Sequence, residues 1–206
     1  MLVDYCLIMF LSDGDIKKSL KNGEIIIKDF DKKRLQPASY DVLLGNDFML
    51  FDRHMMGVID PKDETSKHMR KITVADNEAF VLHPHEFALA VTKDYFGVND
   101  SLCCHIMGKS SLARLGLIIH TTAGFVDPGN ELNATLELFN TNSLPVKLYP
   151  GMKIAQLAFC RLETPAQRPY GHPDLGSKYY KSQSVESSQM WKNFKKPTRK
   201  KNGKTK

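Results

Sequence analysis

A single carboxylate stands within an otherwise apolar segment near the middle of the chain, residues 133–139 with the sequence NATLELF. If this segment is a β-strand, its aliphatic side chains face the core, and Asn133, Thr135 and Glu137 share the opposite face. A carboxylate that is held by a rigid strand and partly removed from water is suited to proton transfer near neutral pH. Glu137 is therefore a candidate general base, although an ordinary strand with one face in solvent is the stronger explanation of this segment alone.

The segment before this strand has the composition of an anion-binding turn. Residues 108–116, GKSSLARLG, predict a helix of one or two turns that is capped by Ser110 or Ser111 and ended by its final glycine in the left-handed conformation. Free N–H groups at the start of this helix, two hydroxyls, Lys109 and Arg114 would together bind a polyphosphate. A capped surface turn with solvated basic side chains is the commoner fate of a single S-S-x-x-R motif.

Two familiar nucleotide-site motifs do not fit the sequence. Residues 108–110 look like the end of a P-loop, but Cys103 stands where that motif requires its first glycine. Zinc nucleoside deaminases carry H-x-E followed by P-C-x-x-C, and the sequence contains neither element. The segment 83–86, HPHE, has residues that can bind metals, but no cysteine pair accompanies it, and we expect loop or core-edge histidines there.

Taken together, these residues resemble those of the deoxycytidine triphosphate (dCTP) deaminases, members of the trimeric dUTPase-like superfamily. The resemblance runs in order from about Leu11 to Phe194, so no single motif has to carry it. Besides the central block, it includes segments 11–16, 35–42, 82–90, 148–154, 166–171 and 175–178, which read LSDGDI, LQPASYDV, LHPHEFALA, LYPGMKI, AQRPYG and LGSK.

The elements that would position these residues are mainly short strands. A capping box at Ser12 and Asp15 predicts one helix that stops at Gly23. After it, segments separated by Gly, Pro, Asn and Asp have the spacing of an all-β sandwich or barrel. The predicted strands are 24–28, 40–44, 47–51, 79–82, 87–92, 102–107, 117–121, 133–139 and 152–162. The resemblance implies a distorted jelly-roll β-barrel of the trimeric dUTPase-like type with a few short helices, forming a homotrimer with active sites between subunits.

Length and charge indicate one domain with a basic tail. A chain of 206 residues with 42% hydrophobic content can bury a full core. The net charge is +6, but residues 192–206 hold seven Lys, one Arg and no acid, so the remainder carries −2, the difference between +6 and +8. We therefore predict an N-terminal extension at 1–11, a dCTP deaminase-like domain at 12–194 and a disordered basic tail at 195–206. Binding to nucleic acid is not expected of the body of such a protein.

The N-terminal segment and the cysteines suggest a cytoplasmic enzyme. Residues 1–11 are apolar but contain Asp4, lack a basic start and are too short to span a bilayer, so no membrane association is expected. The cysteines at positions 6, 103, 104 and 160 form no C-x-x-C pair, which favours free thiols in a reducing cytoplasm, or in the cytoplasm of a host cell if the protein is viral.

The resemblance also implies a mechanism without zinc. Glu137 would take a proton from the water that attacks C4 of the cytosine and pass it to N3 and then to the departing ammonia, which gives dUTP. The Ser110 hydroxyl and the backbone carbonyl of Ala123 would orient this water, and Arg114 would support the developing charge. Such general-base help is worth roughly 10²- to 10⁴-fold in rate.

The remaining contacts implied by the resemblance concern the sugar, the base and the phosphates. Asp127 would meet the deoxyribose 3′-hydroxyl, and Thr135 and Leu136 would present backbone groups to the base. The implied substrate-binding set is Lys109, Ser110, Ser111, Leu112, Ala113, Arg114, Asp127, Thr135, Leu136, Glu137, Tyr170, Lys178 and Gln183. Mg²⁺ would bridge the phosphates and keep most of its waters, so that the protein supplies no metal ligands of its own.

Two positions depart from the family pattern. Lys109 stands where many relatives have Arg. The planar guanidinium group, which can bind a phosphate through two hydrogen bonds, is thereby replaced by a compact ammonium group. Residues 177–183 are one residue longer than the usual K-Y-x-x-Q spacing, so that Lys178 or Lys181 could contact phosphate beside Gln183.

Several activities remain open on the sequence alone. The first is deamination of dCTP to dUTP and ammonia, with dTTP as a feedback inhibitor. The second is a bifunctional enzyme that continues to dUMP and pyrophosphate. A plain dUTP pyrophosphatase shares the Ser-Ser and Asp motifs but would not need Glu137, and a nucleotide-binding regulator without turnover is disfavoured by the intact motifs.

Overall fold

The computed structural model describes residues 9–52, 54, 57–120 and 122–195. The elements, numbered in chain order, are α1 Asp13–Lys21, β1 Ile25–Ile27, β2 Leu35–Gln36, β3 Ser39–Phe51, β4 Met69–Thr73, β5 Phe80–Leu82, β6 Phe87–Val98, β7 Leu102–Gly108, α2 Ser110–Ala113, β8 Leu117–Ile118, β9 Phe125–Val126, β10 Glu131–Asn140, β11 Val146–Leu148 and β12 Lys153–Arg161. Four 3-10 turns complete them, at Lys32–Arg34, Thr65–His68, Pro173–Leu175 and Met190–Phe194.

Ten of the strands form one curled antiparallel sheet. Its order is β8-β10-β6-β3-β12-β7-β9, with β1 added to β6 and both β2 and β4 added to β3, while β5 and β11 pair separately. Strand β3 connects the two halves, because its first part pairs with β12 and its second part pairs with β4 and β6. The site strands β10 and β7 therefore lie in different halves of one continuous sheet.

The core fills the inside of this curl. Tyr40, Phe48, Phe96 and Phe159 are fully buried, and the ring of Phe48 stacks on that of Phe80 with centroids 4.1 Å apart. Burial of aromatic and aliphatic side chains on this scale is the main stabilising contribution to such a domain. Among the residues that the structure describes, no helix is both long and apolar enough to cross a membrane.

Most predicted strands are confirmed, with four differences. The predicted strand 87–92 is too short, since β6 continues to Val98. The predicted strands 40–44 and 47–51 are one strand, because β3 continues through Gly45, where a Cβ would lie 2.8 Å from the carbonyl oxygen of Val91. The predicted strand 117–121 is shorter, since β8 ends at Ile118. Strands β2, β4, β9 and β11 were not predicted, because each is short and carries little period-2 hydrophobic pattern.

The two helices test the capping predictions. The capping box of α1 is confirmed, since the Ser12 hydroxyl accepts from the Asp15 N–H and the Asp15 carboxylate accepts from the Ser12 N–H. The predicted serine cap of α2 is wrong. Lys109 is the N-cap in extended conformation, and no side chain of the described residues caps this helix. Gly116 follows it with φ +78°, as predicted.

The ends of the chain are described only in part. Residues 1–8 and 196–206, which include Cys6 and most of the predicted tail, lie outside the described residues. The last residues of the predicted extension belong to the folded structure, because Phe10 pairs with Cys160 in an isolated β-bridge and the Leu11 N–H donates to the Phe159 carbonyl at 2.9 Å.

Candidate active site

A cavity of about 480 Å³ opens beside β10 and is closed on one side by the C-terminal segment. Its apolar lining includes Phe51, Met69 and Phe87. Its polar lining includes His120, Asp127, Asn130, Asn133, Thr135, Glu137, Tyr170, Ser182 and Glu186. A pocket that is mainly apolar with a few converging polar groups is the usual form of a small-molecule site.

Strand β10 positions the carboxylate as the sequence predicts. Burial alternates strictly along Glu131–Asn140, with Leu136 and Leu138 fully buried and Thr135 and Glu137 half-buried on the other face. The register with β6 shifts between Asn133 and Thr135. Because the pairing of Glu137 with Leu89 fixes this part of β10 against β6, Glu137 is held at a fixed place on the cavity wall.

His120 is the nearest described partner of this carboxylate. Its Nδ1 lies 2.7 Å from Oε2 of Glu137, and the exposed fractions of the two side chains are 6% and 25%. His120 lies in the loop after β8. The residue before it, Ile119, is buried and so fixes the backbone of this loop beside β10. His120 was not predicted as a site residue. In the sequence, only its position just before the loop that contains Ala123 indicates a place near the site.

Asp127 and its neighbours form the next part of the polar wall. Removal from water raises the pKa of the Asp127 carboxyl above its usual value. Asn130 is 6% exposed, and its side-chain oxygen has no hydrogen-bond partner among the described residues. Ala123 also lines the cavity, so its backbone carbonyl is available to a bound molecule.

The C-terminal segment supplies the opposite wall. The Tyr170 hydroxyl accepts from the Tyr179 N–H at 3.2 Å, and the Asn133 N–H donates to the Ser182 carbonyl at 2.8 Å. Lys178 and Gln183, which the resemblance assigns to phosphate binding, do not line this cavity. Tyr179, Ser182 and Glu186 line it instead and were not predicted.

Lys181, the alternative to Lys178, has a different partner. Its ammonium group lies 2.8 Å from the Glu131 carboxylate at the start of β10, which raises the pKa of Lys181 through their hydrogen bond and mutual attraction. Lys181 also has φ +57°, which accommodates the longer spacing of this segment.

The predicted phosphate turn lines a second, smaller cavity of about 410 Å³. Gly108, Lys109, Ser110, Ser111, Ala113 and Gln156 surround it. Ser110, Ser111 and Arg114 are exposed, whereas the side chain of Leu112 is buried in the core. The two serine hydroxyls and the uncapped start of α2 are therefore presented outward, as a ligand with phosphate oxygens would require.

A buried carboxylate anchors this turn to the sheet. Oδ1 of Asp41 lies 2.5 Å from the Lys109 ammonium, Oδ2 lies 3.0 Å from that of Lys153, and the Asp41 side chain is only 2% exposed. A second pair lies behind it, where Arg34 binds Asp94 at 2.7 Å with both side chains buried. These pairs fix the end of β7, from which the Ser110 turn projects.

Within one chain, the predicted site residues form two groups rather than one. Ala123, Asp127, Thr135, Tyr170 and Glu137 share the larger cavity. The smaller cavity contains Lys109, Ser110, Ser111 and Ala113, and Arg114 lines neither cavity. Leu136 lines neither cavity, and its side chain is fully buried on the core face.

Comparison with known proteins identifies the family. A family model described as dCTP deaminase-like matches residues 10–162. A dUMP-forming dCTP deaminase of Methanobrevibacter smithii is 46% identical over 183 residues, which cover 87% of this chain and 94% of the relative. A protein of the same name from Beutenbergia cavernae is 48% identical over 171 residues, which cover 83% of this chain and 89% of the relative.

A solved structure agrees with the fold. The crystal structure of 2′-deoxycytidine 5′-triphosphate deaminase from Agrobacterium tumefaciens matches with a TM-score of 0.59 at 17% identity, covering 75% of this chain and 49% of that longer one. The predicted mainly β fold class is thereby confirmed. From the family model and from relatives that match nearly their whole length, we conclude that this chain belongs to the dCTP deaminase family.

Proposed function

We propose that this protein deaminates dCTP by hydrolysis and continues to dUMP and pyrophosphate. The overall reaction consumes one dCTP and two waters and releases ammonia, dUMP and pyrophosphate. The observation that carries the deamination step is Glu137, which strand β10 holds on the wall of a cavity that Asp127 and His120 also line. The second step is favoured by the relatives of 46% and 48% identity, both of which are named as dUMP-forming.

Glu137 acts as the general base in this proposal. It takes a proton from the water that attacks C4 of the cytosine, delivers it to N3 and then assists the loss of ammonia. His120, 2.7 Å away, holds the carboxylate in one orientation throughout. The Ala123 carbonyl and the Ser110 hydroxyl position the water, and Arg114 stabilises the charge that develops on the base.

The complete site requires more than one chain. We propose a homotrimer in which the Ser110 turn of one subunit completes the Glu137 cavity of its neighbour. Two features support this arrangement: the two groups of site residues line separate cavities in one chain, and Ser110, Ser111 and Arg114 are exposed. dTTP, which shares the triphosphate and the deoxyribose, would compete for the same contacts and inhibit.

Magnesium fits this scheme as a companion of the substrate. Among the described residues, those that line the smaller cavity offer an ammonium group, hydroxyls and amide groups but no carboxylate, and the nearby Asp41 already binds two lysines. Such a donor set suits phosphate oxygens rather than a bare cation. Mg²⁺ would neutralise phosphate charge while it is held by the triphosphate and water, and Lys109, Ser110 and Ser111 would hold the phosphates around it.

One incubation tests the reaction. The purified protein is mixed with dCTP and magnesium, without added zinc, and the products are separated by chromatography. We expect ammonia, dUMP and pyrophosphate in equal amounts. Accumulation of dUTP with ammonia would retain the deamination and remove the second step. In a parallel incubation with dUTP, consumption of dUTP by a protein that leaves dCTP intact would identify a pyrophosphatase instead. A cytoplasmic location stays a prediction from the cysteine content.

A further inference from the structure

Three side chains that can bind metals meet on the face of the sheet opposite the core. Cys103 and Cys160 are directly paired across β7 and β12, and His105 lies two residues after Cys103 on the same face. One ligand atom from each residue lies within 4.8 Å of the other two. Within the described residues, this is the one group of three or more His, Cys, Asp or Glu side chains with such spacing.

From this arrangement we propose a zinc-class metal site formed by Cys103, His105 and Cys160. Two thiolates and one imidazole are ligands that zinc prefers to magnesium or calcium. In tetrahedral zinc coordination, sulfur and nitrogen ligands lie about 3.3–3.8 Å from one another, so the three atoms reach these distances by small side-chain rotations. The fourth position is taken by water or by an external ligand.

The surroundings support a buried site. Cys103 is 6% exposed and Cys160 is 4% exposed. The rings of Phe10 and Phe125 meet the His105 ring edge to face, with centroids 6.3 and 5.3 Å away, and they restrict its rotation. An isolated charge on a buried thiol in an apolar setting is unfavourable. The net charge of one divalent cation, two thiolates and a neutral imidazole is zero, so the metal-bound site avoids this cost.

Binding should depend on pH because zinc takes cysteine as the thiolate. Protons therefore compete with the metal for both sulfurs, and affinity should fall as the pH is lowered.

The three proposed ligands are not among the proposed catalytic groups, although the Asp127 carboxylate acts electrostatically on Cys103 and Phe125, which packs on His105, also lines the Glu137 cavity. None of the three ligand side chains lines the Glu137 cavity or the Ser110 turn, so the metal site would stabilise the pairing of β7 with β12 rather than take part in deamination. The proposed reaction needs no zinc. Metal binding and turnover are therefore measured independently, and failure of one does not imply failure of the other.

Cobalt titration of the reduced, full-length protein tests the proposal. To limit the signal to thiols that the structure describes, all proteins carry Cys6→Ala. We expect one equivalent of Co²⁺ to give the absorption bands of tetrahedral thiolate coordination, and Zn²⁺ to displace it with loss of these bands. Cys103→Ser and Cys160→Ser should each weaken binding by at least about 100-fold, and His105→Gln, a change at a partly exposed residue, should weaken it by about 10- to 100-fold.

Cys104→Ala is the matched control. Cys104 lies between two of the ligands on β7, but its buried side chain belongs to the core cluster on the opposite face, so this variant should still bind one equivalent. The proposal is overturned if reduced protein gives no thiolate–cobalt bands at millimolar cobalt. It is equally overturned if the bands survive unchanged in folded His105→Gln and Cys103→Ser proteins.

Discussion

Nδ1 of His120 lies 2.7 Å from Oε2 of Glu137, and the histidine is the more deeply buried of the two. A buried imidazole at this distance fixes the direction in which the carboxylate points. Since a general base must meet the attacking water at hydrogen-bond distance, fixing its orientation affects turnover more than binding. His120 is thus assigned a positioning function beside Glu137.

His120→Asn should reduce kcat for dCTP deamination by about 10- to 100-fold and leave KM within about threefold, because substrate contacts elsewhere are unchanged. The pH profile of kcat should also shift, which a purely structural change would not produce. The exposed residue His83, changed to Gln, is the control and should leave both constants unaltered. An unchanged kcat and pH profile in His120→Asn would remove the residue from the mechanism.

Substitutions of Ser111 and of Arg114 should change different kinetic constants. Ser111 is expected to contact phosphate in the substrate and in the transition state alike, so Ser111→Ala should raise KM by about 10-fold with little change in kcat. Arg114 is expected beside the reacting base, so Arg114→Ala should mainly lower kcat. Arg114→Lys should not restore it fully, because a point charge cannot replace the guanidinium fork. Steady-state kinetics decide the matter, and a pure KM effect of Arg114→Ala would place Arg114 among the phosphate contacts.

Asp41 should be important for stability because it binds Lys109 and Lys153 while almost completely buried. Asp41→Asn should lower the free energy of unfolding by about 2–4 kcal/mol, since it leaves two ammonium groups without their counter-charge. The more accessible pair of Asp47 and Lys71, whose side chains are 26% and 52% exposed, offers a control, and Asp47→Asn should cost less than about 1 kcal/mol. Urea denaturation measures both, and equal losses would mean that the Asp41 pairs contribute no more than a surface ion pair.

The ionised Asp127 carboxylate should lower the stability of the fold at neutral pH and strengthen the binding of dCTP. Burial raises its pKa, so the protonated carboxyl favours the folded state at low pH, and this contribution is lost as the pH rises through the folded-state pKa. At neutral pH the ionised carboxylate is a net cost. Asp127→Asn should therefore raise Tm by about 1–3 °C at pH 7.5, and the gain should disappear towards pH 4.

The same variant should bind dCTP less well, because the carboxylate is the expected partner of the 3′-hydroxyl. Thermal denaturation at the two pH values and the KM of Asp127→Asn provide the measurements. A Tm that falls at pH 7.5, or a gain that is the same at both pH values, would contradict the assigned effect of burial.

Local patterns predicted much of this fold, and long-range pairings account for most of what they missed. The alternation along β10 and the capping box of α1 depend on neighbours within a few residues, and both are confirmed. The pairs His120 with Glu137 and Cys103 with Cys160 join residues that are distant in sequence, so only the strand register brings them together. The predicted serine cap of α2 is wrong, since Lys109 is the N-cap. The side chain of Lys109 binds Asp41 on another strand, and this long-range contact is not visible in the local sequence.

The most direct test of the account is release of ammonia from dCTP by wild-type protein and by Glu137→Gln under single-turnover conditions with magnesium present. The variant keeps the size and hydrogen-bonding capacity of the side chain but cannot accept a proton. It should bind dCTP with a Kd within about threefold of the wild-type value and lose at least about 10³-fold in the rate of ammonia release. Deamination by Glu137→Gln at a rate near that of the wild type would contradict the assignment of Glu137 as the general base.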